Sequence, residues 1–188
     1  MRNWSPEDPF LYDVHIKMGN DSVESYFAMR KIEVKNDKNG IPRIFLNNKP
    51  YFQKGVLDQG YWPDGLYTAP SDEALIYDIQ TMKNLGFNMI RKHVKVEPAR
   101  WYYHCDKEGI LVWQDMPSGD MGNSWAPHTY NGGTDKQRTP ESVANYYQEW
   151  KEIMDLCMSN PSVVVWVPFN EAWGQFDTCL LYTSPSPR

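Results

Sequence analysis

Apolar and polar residues alternate one by one through the first 36 positions; from about residue 53 the rhythm changes to short continuous apolar runs separated by amphipathic stretches. Residues 11–18 (LYDVHIKM) read as a strand of period two and residues 19–22 (GNDS) as a turn. Residues 24–30 with 31–34 read as one or two further strands. So few strands do not make a stable domain alone, so they read as the end of a β-sandwich. Residues 36–40 (NDKNG) form a polar turn and a candidate boundary, and residues 44–52 read as a short hairpin with Asn47 and Asn48 in its turn.

Beyond the hairpin the elements alternate. Residues 53–57 form a short strand, followed by a loop rich in Gly, Pro and aromatics over residues 58–70. Ser71 can cap a helix whose first turn carries Asp72 and Glu73, whose core stripe is Leu75, Ile79 and Met82, and which stops at Gly86. Residues 87–91 form the next strand. Pro98 opens a second helix and Gly109 closes it. Residues 110–114 form a third strand, and a long loop covers residues 115–138. Thr139, Pro140 and Glu141 start a third helix with Val143, Tyr147, Trp150, Met154 and Cys157 inward; Asn160-Pro161 ends it, and residues 162–167 form a fourth strand.

Continuous apolar strands alternating with amphipathic helices imply a buried parallel sheet. The units occupy residues 53–171, whereas a full (β/α)8 barrel takes roughly 250 residues. The chain therefore reads as the first half of a barrel. A doubly wound open sheet is the alternative, and it is weakened because no glycine-rich phosphate loop follows the first strand.

Composition narrows the function. At 188 residues with 41% hydrophobic and 23% charged positions, the chain is globular in character. Its 8 Trp and 12 Tyr serve either a large aromatic core or stacking platforms for sugar rings. A net charge of −5 without a basic run argues against nucleic acid and an anionic membrane surface. No apolar stretch is long enough for a membrane span, and the N-terminal residues lack the apolar core of a signal peptide. Cys105, Cys157 and Cys179 have no metal-ligand or disulfide spacing, and Cys105 and Cys157 read as buried free thiols. His15, His93, His104 and His128 form no HExxH-like pair, so neither a zinc site nor a cofactor is expected.

In a barrel, function collects where the strands end. Those ends are Leu57-Asp58-Gln59, Arg91-Lys92-His93, Gln114-Asp115 and Phe169-Asn170-Glu171, each polar after an apolar run, which suits a sugar-sized cleft. Glu171 is the sharpest candidate. Glycoside cleavage needs a carboxylic acid to protonate the leaving oxygen and a second carboxylate opposite. A setting between Phe169 and Trp173 suits the raised pKa that the acid requires. A surface glutamate in a loop is the plainer alternative.

Residues 160–171 (NPSVVVWVPFNE) closely resemble the fourth-strand signature of glycoside hydrolase family 2, which includes β-galactosidases, β-glucuronidases and β-mannosidases. Other segments resemble the family in order. Residues 4–12 and 27–32 resemble the end of its immunoglobulin-like domain, residues 47–55 the approach to its barrel, and residues 106–113 the second helix and third strand. The resemblance covers residues 3–177. It implies the last strands of an immunoglobulin-like β-sandwich over residues 1–36 and the N-terminal half of a TIM barrel over residues 37–177, with residues 178–188 a non-native or disordered tail.

The resemblance implies roles as well. Glu171 is the general acid/base, Asn170 bonds the sugar 2-hydroxyl, Arg91 lies near the nucleophilic carboxylate, and His93 reaches the glycone pocket. Asp58, Gln59, Asp115 and Trp173 are further lining candidates. For Arg91 a plain salt bridge within the barrel stays open, for His93 a satisfied core histidine, and for Asp115 a loop cap. The spacing departs from better-known members, which carry Arg-x-Ser-His-Tyr-Pro where this chain has Arg91-Lys92-His93-Val94-Lys95-Val96. The loop after the first strand has Asp58-Gln59-Gly60 where β-galactosidases are rich in His and Glu, so magnesium ligands and the sugar stay unassigned.

The implied function is a retaining β-glycosidase acting on terminal β-linked sugars, its partner a carbohydrate. The family's nucleophile, a second glutamate after the seventh strand, is absent from this chain, so the fragment itself is expected to be inactive. A non-catalytic carbohydrate-binding relative is the alternative; an unrelated barrel with a metal or phosphate site is disfavoured by the missing ligand clusters. Residues 180–188 (LLYTSPSPR) resemble translated adapter sequence. Oligomeric state stays open, and a periplasmic or secreted setting is suggested by family analogy alone.

Overall fold

A computed structural model describes residues 1–117, 119, 135–170 and 174–183. Strands β1 (Tyr12–Met18) and β2 (Asp21–Phe27) pair antiparallel across the short turn at Gly19 and Asn20, as their alternation requires. Strands β3 (Ile32–Asn36), β4 (Pro42–Leu46) and β5 (Lys49–Pro50) form a separate sheet in the order β3-β4-β5. The turn over residues 36–40, read from sequence as a boundary, thus closes the β3–β4 hairpin. The Asp37 carboxylate explains it, accepting from the amides of Asn39 (2.8 Å) and Ile41 (3.0 Å) and from Arg43 Nε (2.8 Å). Asn47 and Asn48 make the β4–β5 turn with φ of 51° and 67°, the left-handed pair that a two-residue hairpin turn demands.

A four-stranded parallel sheet follows: β6 (Gly55–Asp58), β7 (Met89–Lys92), β8 (Leu111–Asp115) and β9 (Val163–Val167), adjacent in sequence order. A doubly wound sheet reverses its strand order at a switch point, whereas this one runs on in a single direction, as TIM-barrel strands do. Helices α1 (Asp72–Asn84), α2 (Ala99–Glu108) and α3 (Pro140–Cys157) connect the strands. Ser71 caps α1 through the Ala74 amide, and Thr139 caps α3 through the Ser142 amide. The amides of Gly86 and Phe87 close α1 by bonding the carbonyls of Lys83 and Met82.

Leu75 and Ile79 of α1, Trp101, Tyr102 and Cys105 of α2 and Ile90, Val112 and Val163 of the sheet form one buried core. Tyr146 of α3 is buried, although the sequence stripe placed Tyr147 inward and passed over it. α3 serves two neighbours: Trp150 meets Trp166 of β9, while Tyr146 stacks on Phe169, centroids 5.4 Å apart, and meets Phe176 at 5.0 Å. Residues 178–183, expected as part of a non-native or disordered tail, form the short helix α4 (Thr178–Thr183). Asp135 accepts from its first amide, Thr178 N (3.0 Å), and Leu181 packs on the Tyr146 cluster. Residues 184–188 lie outside the described residues.

The N-terminal segment is tied to the parallel sheet by Asp106, a fully buried residue of α2. Its carboxylate accepts from Tyr26 Oη of β2 (2.8 Å), Asn160 Nδ2 (2.6 Å) and the Ser162 amide (2.9 Å), and its main-chain carbonyl accepts from Trp4 Nε1 (2.8 Å). Arg30 donates to the carbonyls of Pro161 (3.1 Å) and Val163 (2.8 Å). The Asn-Pro-Ser sequence before β9 is therefore the complement of a buried carboxylate. Gly109, at φ 73°, closes α2 where the N-terminal segment crosses it; a Cβ there would lie 2.7 Å from the Pro6 carbonyl oxygen and 2.9 Å from Pro9 Cβ.

Replacing Asp106 by Ala strands its donors in a buried site, and we expect a loss of about 3 kcal/mol in urea unfolding. Burial holds the Asp106 carboxyl above the ordinary carboxylate value, so the folded chain binds that proton more tightly than the unfolded chain does. Its contribution is full below the ordinary value and is lost as pH rises through the raised one. In Asp106→Asn that slope should disappear; an unchanged slope would show that another group carries it.

Candidate active site

Strand register decides which side chains meet at the C-terminal edge of the sheet. Arg91 pairs with Trp113, and Lys92 with Gln114. Alternation places Arg91, Trp113 and Asp115 on one face, and Lys92 and Gln114 on the face toward the helices. Arg91 and Asp115 are thus diagonal neighbours across β7 and β8, close enough for an arginine fork.

The fork closes. Arg91 Nε donates to Asp115 Oδ1 and Nη2 to Asp115 Oδ2, both at 2.9 Å, and Nη2 also reaches Asn170 Oδ1 at 2.9 Å. Asp115 is fully buried, and its Oδ2 takes a further donor, the Val94 amide (3.2 Å). Val94 holds φ at 45°, a strained conformation for a β-branched residue that costs roughly 1–3 kcal/mol. The strain sets that amide on the carboxylate. Because Arg91 can only donate, the Asn170 carbonyl oxygen must face it, and Asn170 Nδ2 is directed elsewhere as a donor.

A second pair lies at the ends of β6 and β7. Gln59 Nε2 stands 3.2 Å from His93 Nδ1. With the amide as donor, Nδ1 accepts and the neutral ring carries its proton on Nε2. Asp58 does not join either group. It pairs in register with Lys92 on the helix-facing side, and its oxygens hold Lys92 Nζ (2.5 Å) and the Gly60 amide (2.8 Å). Glu171 and Trp173 lie outside the described residues. The chain on either side of them is anchored: Tyr146 Oη donates to the Pro168 carbonyl, and Arg138 Nη2 donates to the Gly174 carbonyl (2.9 Å).

Sequence reasoning passed over a buried charge cluster. Lys92, Lys95 and Glu97 are each no more than 4% exposed. Lys92 Nζ meets Asp58 and Glu97 Oε1 (2.9 Å) and lies 4.3 Å above the Trp101 ring; Lys95 Nζ meets Glu97 at 3.0 Å. Behind it, Tyr102 Oη accepts from the Glu97 amide and donates to Gln114 Oε1 (2.6 Å), whose amide nitrogen bonds the Lys95 carbonyl (2.7 Å). The signal was the string Lys92-His93-Val94-Lys95-Val96-Glu97-Pro98, in which Lys92, Lys95 and Glu97 place three charges between a buried strand and a helix start. Among the described residues, no group of three or more His, Cys, Asp or Glu side chains converges as a metal site.

Known proteins are similar to this chain in sequence and fold. Residues 32–184 match the family described as "Glycosyl hydrolases family 2, TIM barrel domain". A β-galactosidase of Lactococcus lactis is 25% identical over 191 aligned residues, covering 98% of this chain and 18% of its own length. That of Oenococcus oeni is 34% identical over 115 residues, 58% of this chain and 11% of its own length. Among solved structures, the β-D-glucuronidase of Dictyoglomus thermophilum superposes with a TM-score of 0.75 at 20% identity, over 91% of this chain and 29% of that one. The chain therefore spans less than a third of the length of each of these proteins, and the family match covers most of it: it belongs to glycoside hydrolase family 2, within the TIM-barrel domain.

Proposed function

We propose that this chain supplies the acid/base side of a retaining β-glycosidase active site. In this reading β6–β9 are the first four strands of the barrel, and β1–β2 are the last strands of an immunoglobulin-like sandwich. The observation that carries it is the Arg91 fork, which joins Asp115 to Asn170, the residue before Glu171. Glu171 protonates the glycosidic oxygen as the bond breaks. It then takes a proton from water when the glycosyl intermediate is hydrolysed, as a retaining mechanism demands. Asn170, its carbonyl held by Arg91, donates through Nδ2 to the sugar 2-hydroxyl, a bond that strengthens as the ring flattens. Gln59, His93 and Trp173 line the glycone side.

The curated relatives reported above are β-galactosidases and the solved neighbour is a β-glucuronidase. What they share is a β-glycoside, and that is the substrate class proposed here. The nucleophile that a retaining mechanism requires belongs after a seventh strand, beyond β9. For the 188-residue polypeptide alone, no release of 4-nitrophenol from aryl β-glycosides is expected, and measurable turnover would overturn the assignment of a distant nucleophile.

In the full-length protein carrying this chain, Glu171→Gln removes the proton donor. The kcat/KM for alkyl or disaccharide β-glycosides, which reports the first step, should fall by about 10²–10⁴-fold, while that for dinitrophenyl glycosides, whose leaving groups need no proton, falls far less. Equal losses on both would sink the acid role. Asp115→Asn leaves the Arg91 fork half paired and Asn170 free to shift; we expect kcat/KM to drop about a hundredfold. Steady-state kinetics on one aryl glycoside checks this, and an unchanged value would make the fork a packing feature only.

A further inference from the structure

The glycosidase reading uses Arg91, Asn170 and Glu171 but leaves the buried lysines unexplained. Two ammonium groups buried to 1% and 2% exposure cost more than a packing role repays unless their geometry fixes something. Every donor direction of Lys95 is used: the Gly60 carbonyl at 2.7 Å, the Tyr67 carbonyl at 2.8 Å and Glu97 at 3.0 Å. Two of those acceptors are main-chain groups of the loop between β6 and α1, and its Tyr67 ring also lies 4.4 Å beneath the same ammonium. Lys92 holds the same loop at its start through Asp58, and Glu97 Oε1 bridges both lysines. Two lysines against Asp58 and Glu97 leave the cluster formally neutral.

Gln59 sits between the two clamped residues. Asp58 is held by Lys92, and Gly60 is held by Lys95 through its carbonyl and by Asp58 through its amide. Gly60 adopts φ of 66°, and a Cβ there would lie 2.5 Å from Glu97 Oε1 and 2.8 Å from Lys95 Nζ, so the loop backbone is pressed directly onto the charges. On the facing strand His93 follows Lys92, and the two residues on either side of the Gln59–His93 contact are thereby fixed by one charge cluster.

We propose that Lys95 and Lys92 are positioning residues: the lysine–glutamate cluster clamps the β6–α1 loop so that Gln59 and His93 present a preset pair of polar groups to the sugar. The clamp is a structural claim; its service to sugar recognition rests on the glycosidase reading. Lys95→Met keeps the stem and leaves Glu97 paired with Lys92, but releases the Gly60 and Tyr67 carbonyls. Gly60→Ala keeps every charge and displaces the loop by its methyl group.

Both variants are made in the full-length protein and followed by hydrogen–deuterium exchange and by kinetics on an aryl β-glycoside. Amides of residues 59–70 should exchange about tenfold faster in each variant, the scale of losing a charge-assisted hydrogen bond, while α2 and β8 keep their protection. KM should rise about tenfold with kcat within about threefold, the signature of lost ground-state recognition. Unchanged exchange over residues 59–70 overturns the clamp, and so does faster exchange spread evenly over α2 and β8. A released loop with unchanged KM overturns the recognition role. If the unmodified protein turns over no β-glycoside, it is the glycosidase reading that fails, and exchange alone then decides the clamp.

Discussion

The Asp106 carboxylate is shut away from water, and two segments of chain give it three donors: Tyr26 from the N-terminal hairpin, and Asn160 and the Ser162 amide from the turn before β9. A buried acceptor of this kind must be satisfied by whatever surrounds it. That requirement joins the hairpin to α2 and sets where β9 begins. The start of β9 in turn fixes its register on β8, including the irregularity after Val112, and so the height at which Asn170 emerges from the sheet. The placement of groups at the C-terminal edge thus depends on an α2 carboxylate bonded beside the opposite end of β9.

At the C-terminal edge one strand carries two unlike arrangements. Arg91 faces Asp115 and Asn170; Lys92, its neighbour in sequence, faces Asp58, Glu97 and the Trp101 ring. Alternation along β7 separates them, so the cations do not share a solvent shell or a partner. The fork is partly open, with the Arg91 side chain 27% exposed, and its planar geometry fixes the orientation of the Asn170 amide. The lysines are closed off, and their point charges hold main-chain carbonyls. Arginine at the first position and lysine at the second follow from those different tasks.

Much of this was legible in residue order. The change from period two to continuous apolar runs located the parallel sheet, and Ser71, Gly86, Thr139 and Gly109 marked helix ends because capping and left-handed turns are local needs. Arg91, Asp115 and Asn170 were legible as strand-end residues, though their mutual fork was not. Tyr146 escaped because α3 packs against two partners, so its buried face is wider than a single stripe. The β3–β4 pairing escaped because a polar turn looks the same whether it separates domains or closes a hairpin.

The sequence by itself determined the elements up to β9, their order, the barrel-like class and the family, since each depends on local periodicity or on a contiguous signature such as residues 160–171. Only the tertiary structure decided which charges meet. Asp58 and Lys92 are 34 positions apart, Arg91 and Asn170 are 79 apart, and Tyr26 and Asn160 are 134 apart. Nothing local couples such residues; strand register and the burial of unpaired charge do, and both exist only once the chain has closed on itself.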